Sequence, residues 1–335
     1  MLNTIIGVYG TLTYKNQMAK ISIKDTEITV IQVKNEDYKY LLEINYLRKQ
    51  LNNGIFRIKL LLMEKREREI RLYAWIDLLL ARGVFSFSIE LAKSELSNYT
   101  DIALRRALSR LSAKGKIMSV YKGYYLILPP QYSIKGILPP SLFLDAFFHY
   151  LNRPYYLSLL SAAAYHGAAH QKPQEYFVMT SFPAMRPTQK KGLKINYISI
   201  DEIPEILIEK RKTEAGYVNI SSPILTAADL VHFEKRIGGL NRAATILNEL
   251  VEVIIKADFS EEFLSFTPTT VLQRLGYLLE FICQNAKLSD ALFAAITEQN
   301  IQLYRIPLKS FGQTKGFSSE NRWKVIVNVE IDPDL

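Results

Sequence analysis

One segment, residues 67–128, constrains the fold most, because its hydrophobic spacing and turn residues define the order of six short elements. Apolar residues at three- and four-residue intervals predict helices, and alternating apolar residues predict strands. In chain order, the predicted elements are a helix over 67–82, a strand over 85–87, helices over 89–96 and 102–114, and strands over 117–121 and 124–128.

Capping and turn residues mark the ends of these elements. Ser88 and Thr100 each carry a hydroxyl that can accept a hydrogen bond from the first turn of the next helix. Asp101 adds a negative charge at the positive end of the third helix. Gly123 can adopt the positive φ that a two-residue turn requires, so the last two strands are predicted to form a hairpin.

This order of elements is typical of a winged helix-turn-helix, in which the third helix enters the major groove of DNA and the hairpin lies along the phosphates. The predicted groove-facing residues are Arg105, Arg106, Ser109 and Arg110, and the predicted phosphate contacts are Lys114, Lys116 and Lys122. The alternative is that the arginines form the solvated side of an ordinary helical bundle. The complete order of elements favours DNA binding.

The charge distribution supports the same interpretation. Residues 63–130 contain 12 Lys and Arg against 7 Asp and Glu, and residues 1–62 contain 9 against 5. Residues 131–335 contain 21 of each and have no net charge. A localised basic excess indicates an electrostatic footprint for nucleic acid, whereas a diffuse excess would indicate only solubility or nonspecific adhesion.

Composition places the chain among globular proteins of two or three domains. It has 335 residues, of which 48% are hydrophobic and 22% are charged. The single cysteine, Cys283, cannot form an internal disulfide, and no basic-then-apolar leader opens the chain. We therefore expect a reducing, cytoplasmic location. No apolar run approaches the roughly 20 residues that cross a bilayer, so no membrane partner is predicted.

Residues 1–62 form an N-terminal extension in which no motif is recognised. Strand-like alternation occurs over 21–23 and 27–33, and helix-like spacing over 38–51. One interpretation is an added module. The other is that translation starts at Met63, immediately before the predicted DNA-binding unit, and that the upstream residues come from an overextended reading frame. We assign no function to this part.

Two proline pairs, at 129–130 and 139–140, bracket a short connection, because consecutive prolines exclude helix. We therefore predict a DNA-binding domain over 63–135 and a second domain over 136–335. Its predicted helices cover 141–151, 155–166, 223–233, 241–256 and 270–284, and its predicted strands cover 176–180, 194–200, 301–306 and 323–329. The fold class is α+β, with a winged helix-turn-helix before a larger mixed domain whose sheet is completed by the C-terminus.

Over residues 63–335 the sequence resembles the AbiEi antitoxins of bacterial type IV toxin–antitoxin and abortive-infection systems. The most family-like element is SAAAYHGAAHQ, at 161–171. The segments that carry the resemblance are KGYYLILPPQY (122–132), YYLSLLSAAAYHGAAHQKPQEYFVMT (155–180), SSPILTAADLV (221–231) and WKVIVNVEIDPDL (323–335). Residues 1–62 fall outside the family pattern.

The resemblance implies a bifunctional protein that takes part in phage defence. Its N-terminal domain would bind double-stranded operator DNA and repress its own operon. Its C-terminal domain would neutralise a nucleotidyltransferase toxin encoded nearby, through direct contact, modification of the toxin or protection of the toxin's target.

Motifs for other chemistry are weak. His166 and His170 have the four-residue spacing that can hold zinc on a helix, but the glutamate of a metalloprotease motif is missing and Gly167 tends to end the helix. Asp332 and Asp334 form an Asp-x-Asp without the Gly-Ser turn of a nucleotidyltransferase. We predict no catalytic residue, no cofactor site and no metal site, and therefore no enzyme.

Two further hypotheses remain open on the residues alone. The main alternative is a winged-helix regulator whose C-terminal domain senses a small ligand. An enzyme with a DNA-docking domain has no motif in its favour. Among the wing tyrosines, Tyr121, Tyr124 and Tyr125, we expect one or two to flank the sugar–phosphate backbone and the others to pack beneath the hairpin.

Overall fold

The computed structural model describes three strands within residues 10–30, and residues 71–133, 138–168, 174–190, 192–310 and 312–332. The chain forms two compact units, residues 1–67 and 68–335. In the first unit, β1 (Gly10–Lys15), β2 (Met18–Ile23) and β3 (Thr26–Val30) pair as an antiparallel sheet. The two predicted strands overlap β2 and β3, whereas the helix predicted over 38–51 lies outside the described residues.

The elements predicted within 71–128 are present, and their bounds agree within a few residues. Residues 67–70 of the first predicted helix lie outside the described part of the chain. The observed elements are α1 (Leu72–Ala81), β4 (Ser86–Ser88), α2 (Ile89–Glu95), α3 (Asp101–Ala113), β5 (Ile117–Tyr121) and β6 (Tyr124–Ile127). The strands form an antiparallel sheet in the order β4-β6-β5, which leaves β5 at an edge.

The three helices pack around an aromatic pair. The rings of Trp75 and Phe87 meet edge to face with centroids 5.0 Å apart. The indole N–H of Trp75 donates to Glu95 Oε2 at 2.8 Å, which satisfies the polar atom of an otherwise buried side chain. Ile117 and Ile127, one from each hairpin strand, belong to the same core.

A six-stranded sheet lies at the centre of residues 136–335, in the order β11-β12-β7-β8-β10-β9. Its strands are β7 (Tyr155–Leu157), β8 (Tyr176–Ser181), β9 (Thr188–Lys190), β10 (Leu193–Ile200), β11 (Ile208–Thr213) and β12 (Gly216–Ser221). The predicted helix over 155–166 is partly wrong: its first residues are β7, which pairs with β8 and β12. These pairings are long-range, and helical spacing carries no signal for them.

Helices cover both faces of the sheet. They are α4 (Pro130–Ser133), α5 (Leu144–Leu151), α6 (Leu159–Tyr165), α7 (Pro223–His232), α8 (Glu234–Ile237), α9 (Leu240–Leu250), α10 (Glu261–Phe266), α11 (Thr269–Tyr277), a π-helical turn (Leu278–Ile282) and α12 (Ala286–Glu298), with 3₁₀ turns at Pro140–Leu142, Glu205–Leu207 and Lys256–Asp258. The fold is α+β.

The C-terminus does not complete the large sheet, so that prediction is wrong. The short strands β13 (Ile306–Pro307) and β14 (Val325–Ile326) pair only with each other in the described sheets. Trp323 is fully buried, and its ring lies against Gly276 of α11. Its indole N–H donates to Glu280 Oε2 at 2.7 Å, so the last segment is anchored on the helices instead.

The hairpin β5–β6 is buried on both of its faces. Ile117 and Ile127 point into the core of the three helices, whereas Met118 and Leu126 belong to a second core with α5 and one face of the large sheet. Helices from α6 onward cover the opposite face of that sheet. The hairpin thus separates two hydrophobic cores and contributes side chains to both. In the described residues, no helix is long and apolar enough to cross a membrane.

Candidate functional site

The basic side of α3 is held in place by caps and an ion pair. Ser88 Oγ accepts from the Leu91 amide at 3.1 Å and Thr100 Oγ1 accepts from the Ala103 amide at 3.3 Å, as predicted for the starts of α2 and α3. Lys93 Nζ lies 2.6 Å from Asp101 Oδ2 and links the two helices. Its hydrogen bond lowers the pKa of the Asp101 carboxyl.

All seven residues predicted to contact DNA are exposed to solvent: Arg105, Arg106, Ser109, Arg110, Lys114, Lys116 and Lys122. The first four alternate with the buried Leu104, Ala107 and Leu108, so they share one side of α3. Among the described residues, no carboxylate lies within ion-pair distance of Arg106 or Arg110. Their guanidinium groups are available to an external acceptor.

An apolar residue that the sequence analysis did not select lies on the same side of α3. Ile102 has 66% of its surface exposed, in the first turn of the helix. It is three residues before Arg105 and seven before Ser109, which places it on their side. The same spacing could have identified it from the sequence, since the buried stripe begins only at Leu104.

The three lysines lie near the two ends of the edge strand β5. Lys114 and Lys116 lie between α3 and the start of β5, and Lys122 lies in the turn at its far end. That turn is held firmly: the Ile89 amide donates to the Gly123 carbonyl at 2.7 Å, and the Tyr150 hydroxyl donates to the Lys122 carbonyl at 3.5 Å. Gly123 has φ +77°, as the predicted turn requires.

The three tyrosines of the hairpin β5–β6 occupy different environments. Tyr124 is buried and bonds to Ser86 Oγ at 2.7 Å, and burial raises its pKa to about 12. Tyr125 stacks on Phe87 with ring centroids 5.5 Å apart. Tyr121 keeps 46% of its surface exposed. The prediction that some pack beneath the hairpin is confirmed for Tyr124 and Tyr125, and only Tyr121 presents a ring substantially to solvent.

A second group of polar residues is buried within residues 136–335. Asp229 of α7 accepts from Ser158 Oγ at 2.5 Å and from the Tyr156 hydroxyl at 3.3 Å. All three side chains are buried, and burial raises the pKa of Asp229 to about 7. Because the carboxyl and its donors are closed to solvent, this cluster binds α7 to β7 and offers no surface to a substrate.

A neighbouring polar network joins α6, β12 and the start of α7. His166 Nε2 lies 2.7 Å from the Ser221 carbonyl oxygen, and Ser221 Oγ lies 2.6 Å from Thr226 Oγ1. Burial lowers the pKa of His166. His166 thus occupies a helix end with a backbone partner, and His170 and Asp334 lie outside the described residues. No cluster of three or more His, Cys, Asp or Glu suited to a metal occurs in the part of the chain that is described.

Comparison with protein families supports part of the resemblance inferred from the sequence. The model of the AbiEi antitoxin C-terminal domain matches residues 156–281. This range covers the segments at 161–171 and 221–231, and it includes the enclosed polar residues described above. The segments at 122–132 and 323–335 lie outside it. No curated protein sequence matches.

A solved structure has a related fold. The crystal structure of the RV2827C protein from Mycobacterium tuberculosis matches with a TM-score of 0.56 and 17% sequence identity. The alignment covers 75% of this chain and 89% of that chain. At this identity the similarity concerns the fold alone.

Proposed function

We propose that this chain is the antitoxin of a type IV toxin–antitoxin system and the repressor of its own operon, since residues 156–281 match the model of the AbiEi antitoxin C-terminal domain. The observation that carries the second role is the exposed basic side of α3. It supports a winged helix-turn-helix over residues 63–135, with α3 as recognition helix.

In this proposal the N-terminal half of α3 enters the major groove of operator DNA. The arginines on its outer side donate to base edges, because a guanidinium can bond both O6 and N7 of guanine. Ile102 contacts a thymine methyl group, the apolar feature of the major groove. Ser109 bonds a base edge or a nearby phosphate.

Lys114, Lys116 and Lys122 contact phosphates in this arrangement. Lys122 lies in a turn whose backbone carbonyl groups accept hydrogen bonds from the Ile89 amide of α2 and from the Tyr150 hydroxyl. A fixed turn presents its charge without a further loss of backbone entropy on binding. The three lysines therefore position the protein along the duplex, while the arginines read its sequence.

The larger region, residues 136–335, is proposed to neutralise a nucleotidyltransferase toxin encoded nearby. We propose a role without catalysis, without a cofactor and in the cytoplasm. The burial of Asp229, Ser158 and Tyr156 supports the first of these points for that cluster, because its groups are closed to solvent and to a substrate. Neutralisation by direct contact with the toxin predicts a stable complex, whereas modification of the toxin and protection of its target do not require one.

The test is co-expression of the full-length chain with the adjacent gene, scored by growth. The larger region should not be tested by deleting residues 1–135. The hairpin β5–β6 covers one face of the large sheet, and its removal would expose Tyr155 and Leu157. Full-length Arg106→Ala/Arg110→Ala is the sharper variant, because it removes charge from the exposed side of α3 and leaves both cores intact.

We expect that variant to lose repression and to keep neutralisation. Loss of both functions in a folded protein would contradict separable roles. If the wild-type chain does not restore growth although it is soluble, the antitoxin role is wrong, and the ligand-sensing regulator becomes the better hypothesis. If the wild-type chain does restore growth, co-purification of the toxin with the tagged chain tests whether neutralisation involves direct contact.

A further inference from the structure

The outer edge of β5 is in contact with a lysine from the large sheet. β5 is an edge strand, so its outward carbonyl groups have no strand partner in the described sheet. Lys190, the last residue of β9, donates from Nζ to the Ser119 carbonyl oxygen at 2.6 Å. Ser119 lies midway along β5, so Lys190 places a positive charge between Lys116 and Lys122.

The segment around β9 is rich in basic residues and free of acidic ones. Residues 176–200 contain four Lys and Arg and no Asp or Glu, although the region 131–335 is neutral overall. Arg186 is exposed four residues before Lys190. Glu175, just before this segment, is 2.7 Å from Lys194 and also accepts from Asn196, so its charge is already compensated.

The segment that carries Arg186 is held against the protein. Arg153 donates from a terminal nitrogen to the Pro183 carbonyl at 2.8 Å. Met185 packs on the core shared by the hairpin and the large sheet. Arg186 therefore projects from an anchored segment beside the hairpin. Four extended residues span at most about 14 Å, which keeps Arg186 close to Lys190.

We propose that Arg186 and Lys190 contact phosphates of duplex DNA and, with Lys116 and Lys122, form a continuous basic row along β5. The inference rests on the proposed DNA-binding function and extends it to the region assigned to toxin neutralisation. The five residues of β5 separate Lys116 from Lys122, so the two lie about 20 Å apart along the strand, a distance that covers several phosphates along one strand of the duplex.

A purely structural role for Lys190 makes a different prediction. If Lys190 only seals the edge of β5, its replacement lowers stability and leaves DNA binding unchanged. If it contacts phosphate, its replacement lowers the salt dependence of binding, because each neutralised phosphate contributes about −0.9 to the slope of log affinity against log salt.

The test uses the full-length chain with two duplexes of equal length. One carries the DNA immediately upstream of its own gene, and the other carries the same bases in shuffled order. The variant is Arg186→Gln/Lys190→Gln, which removes both charges and keeps an amide donor for the Ser119 carbonyl. The control is Lys256→Gln/Lys287→Gln, which removes two exposed charges on the opposite side of the sheet.

We expect the variant's slope to be shallower by roughly 1.8, so that the loss of affinity between about 50 and 200 mM salt is roughly tenfold smaller than for wild type. Both duplexes should be affected alike, and the control should match wild type. An unchanged slope, with or without a lower melting temperature, would overturn the inference. Failure of the proposed function is a separate result: wild-type protein would bind both duplexes equally, whatever the slope of the variant.

Discussion

Two helices of this chain, α3 and α7, use polar residues in opposite ways. Both begin at a hydroxyl cap, Thr100 for α3 and Ser222 for α7. α3 turns its arginines to solvent, whereas α7 carries Asp229 into the core, where the hydroxyl groups of Ser158 and Tyr156 donate to it. Of these two sets of polar side chains, only an exposed one is available to a ligand. A buried one is occupied in holding the fold together.

The largest effect is expected when the exposed arginines of α3 are replaced. In Arg106→Ala/Arg110→Ala, each lost base contact should weaken operator binding by roughly 1–3 kcal/mol, so affinity should fall at least about 30-fold. The urea midpoint should change by no more than the equivalent of about 0.5 kcal/mol, because both side chains are exposed. Anisotropy titration and urea unfolding measure the two quantities.

Arg71→Ala/Arg82→Ala is a matched control, since both arginines are exposed and lie at the two ends of α1, not on α3. It should retain most of the affinity. Equal losses for the two double variants would mean that total charge, and not the position of the arginines, determines binding.

The buried carboxyl group of Asp229 predicts that the stability of the fold depends on pH. Burial raises the pKa of Asp229 from 3.8 to about 7, so between these values the folded chain keeps a proton that the unfolded chain releases. The free energy of unfolding should therefore fall as pH rises through this window, by at most about 4 kcal/mol from this one group. Above about pH 7 the effect is complete.

Asp229→Asn cannot ionise and should lack this contribution. Urea unfolding of both proteins across the window should show the variant gaining stability relative to wild type as pH rises. Operator affinity should stay the same, because Asp229 is enclosed. Parallel pH profiles would show that burial does not hold the proton on the carboxyl.

A third prediction concerns packing behind α11. In Gly276→Ala the added methyl group would overlap the ring of Trp323, which is fully buried. We expect a loss of about 1–3 kcal/mol in the free energy of unfolding. In a Trp323→Leu background the same change should cost little, since the overlap is gone. An equal cost in both backgrounds would contradict this cause.

The smallest effect is expected for Ile102→Ala. Loss of one apolar contact with a thymine methyl should weaken operator binding by about 1 kcal/mol and leave shuffled DNA unaffected. Stability should be unchanged, because the side chain is already exposed. Competition between operator and shuffled duplexes measures the effect, and equal weakening on both would assign Ile102 to nonspecific contact.

Prediction from the sequence succeeded where local signals decide the structure. Ser88, Thr100 and Gly123 specify caps and a turn through their own atoms, so the elements of 71–128 were placed within a few residues. α12 was missed although its signal is local: Asn285 caps it, and Leu288, Leu292 and Ile296 form its buried stripe.

Other elements carried no local signal. β11 contains Lys210, Arg211 and Lys212, and its strand character comes from pairing with β12 at the edge of the sheet. β7 was read as helix because its apolar residues continue into α6. β7 pairs with β8 and β12, which are more distant in sequence and give no periodic signal. β11 forms a hairpin with the next strand, and its run of charged residues lacks the alternating apolar pattern that predicts a strand.

By itself, the sequence determined the order of elements in residues 71–128 and the common side of Arg105, Arg106 and Arg110, because helical spacing places residues on a side wherever the helix packs. Only the tertiary structure decided which polar groups are available. It buried β5–β6 on both faces, enclosed Asp229 and brought Lys190 to the edge of β5. Burial depends on contacts between segments far apart in the chain, and those contacts form only when the whole domain folds.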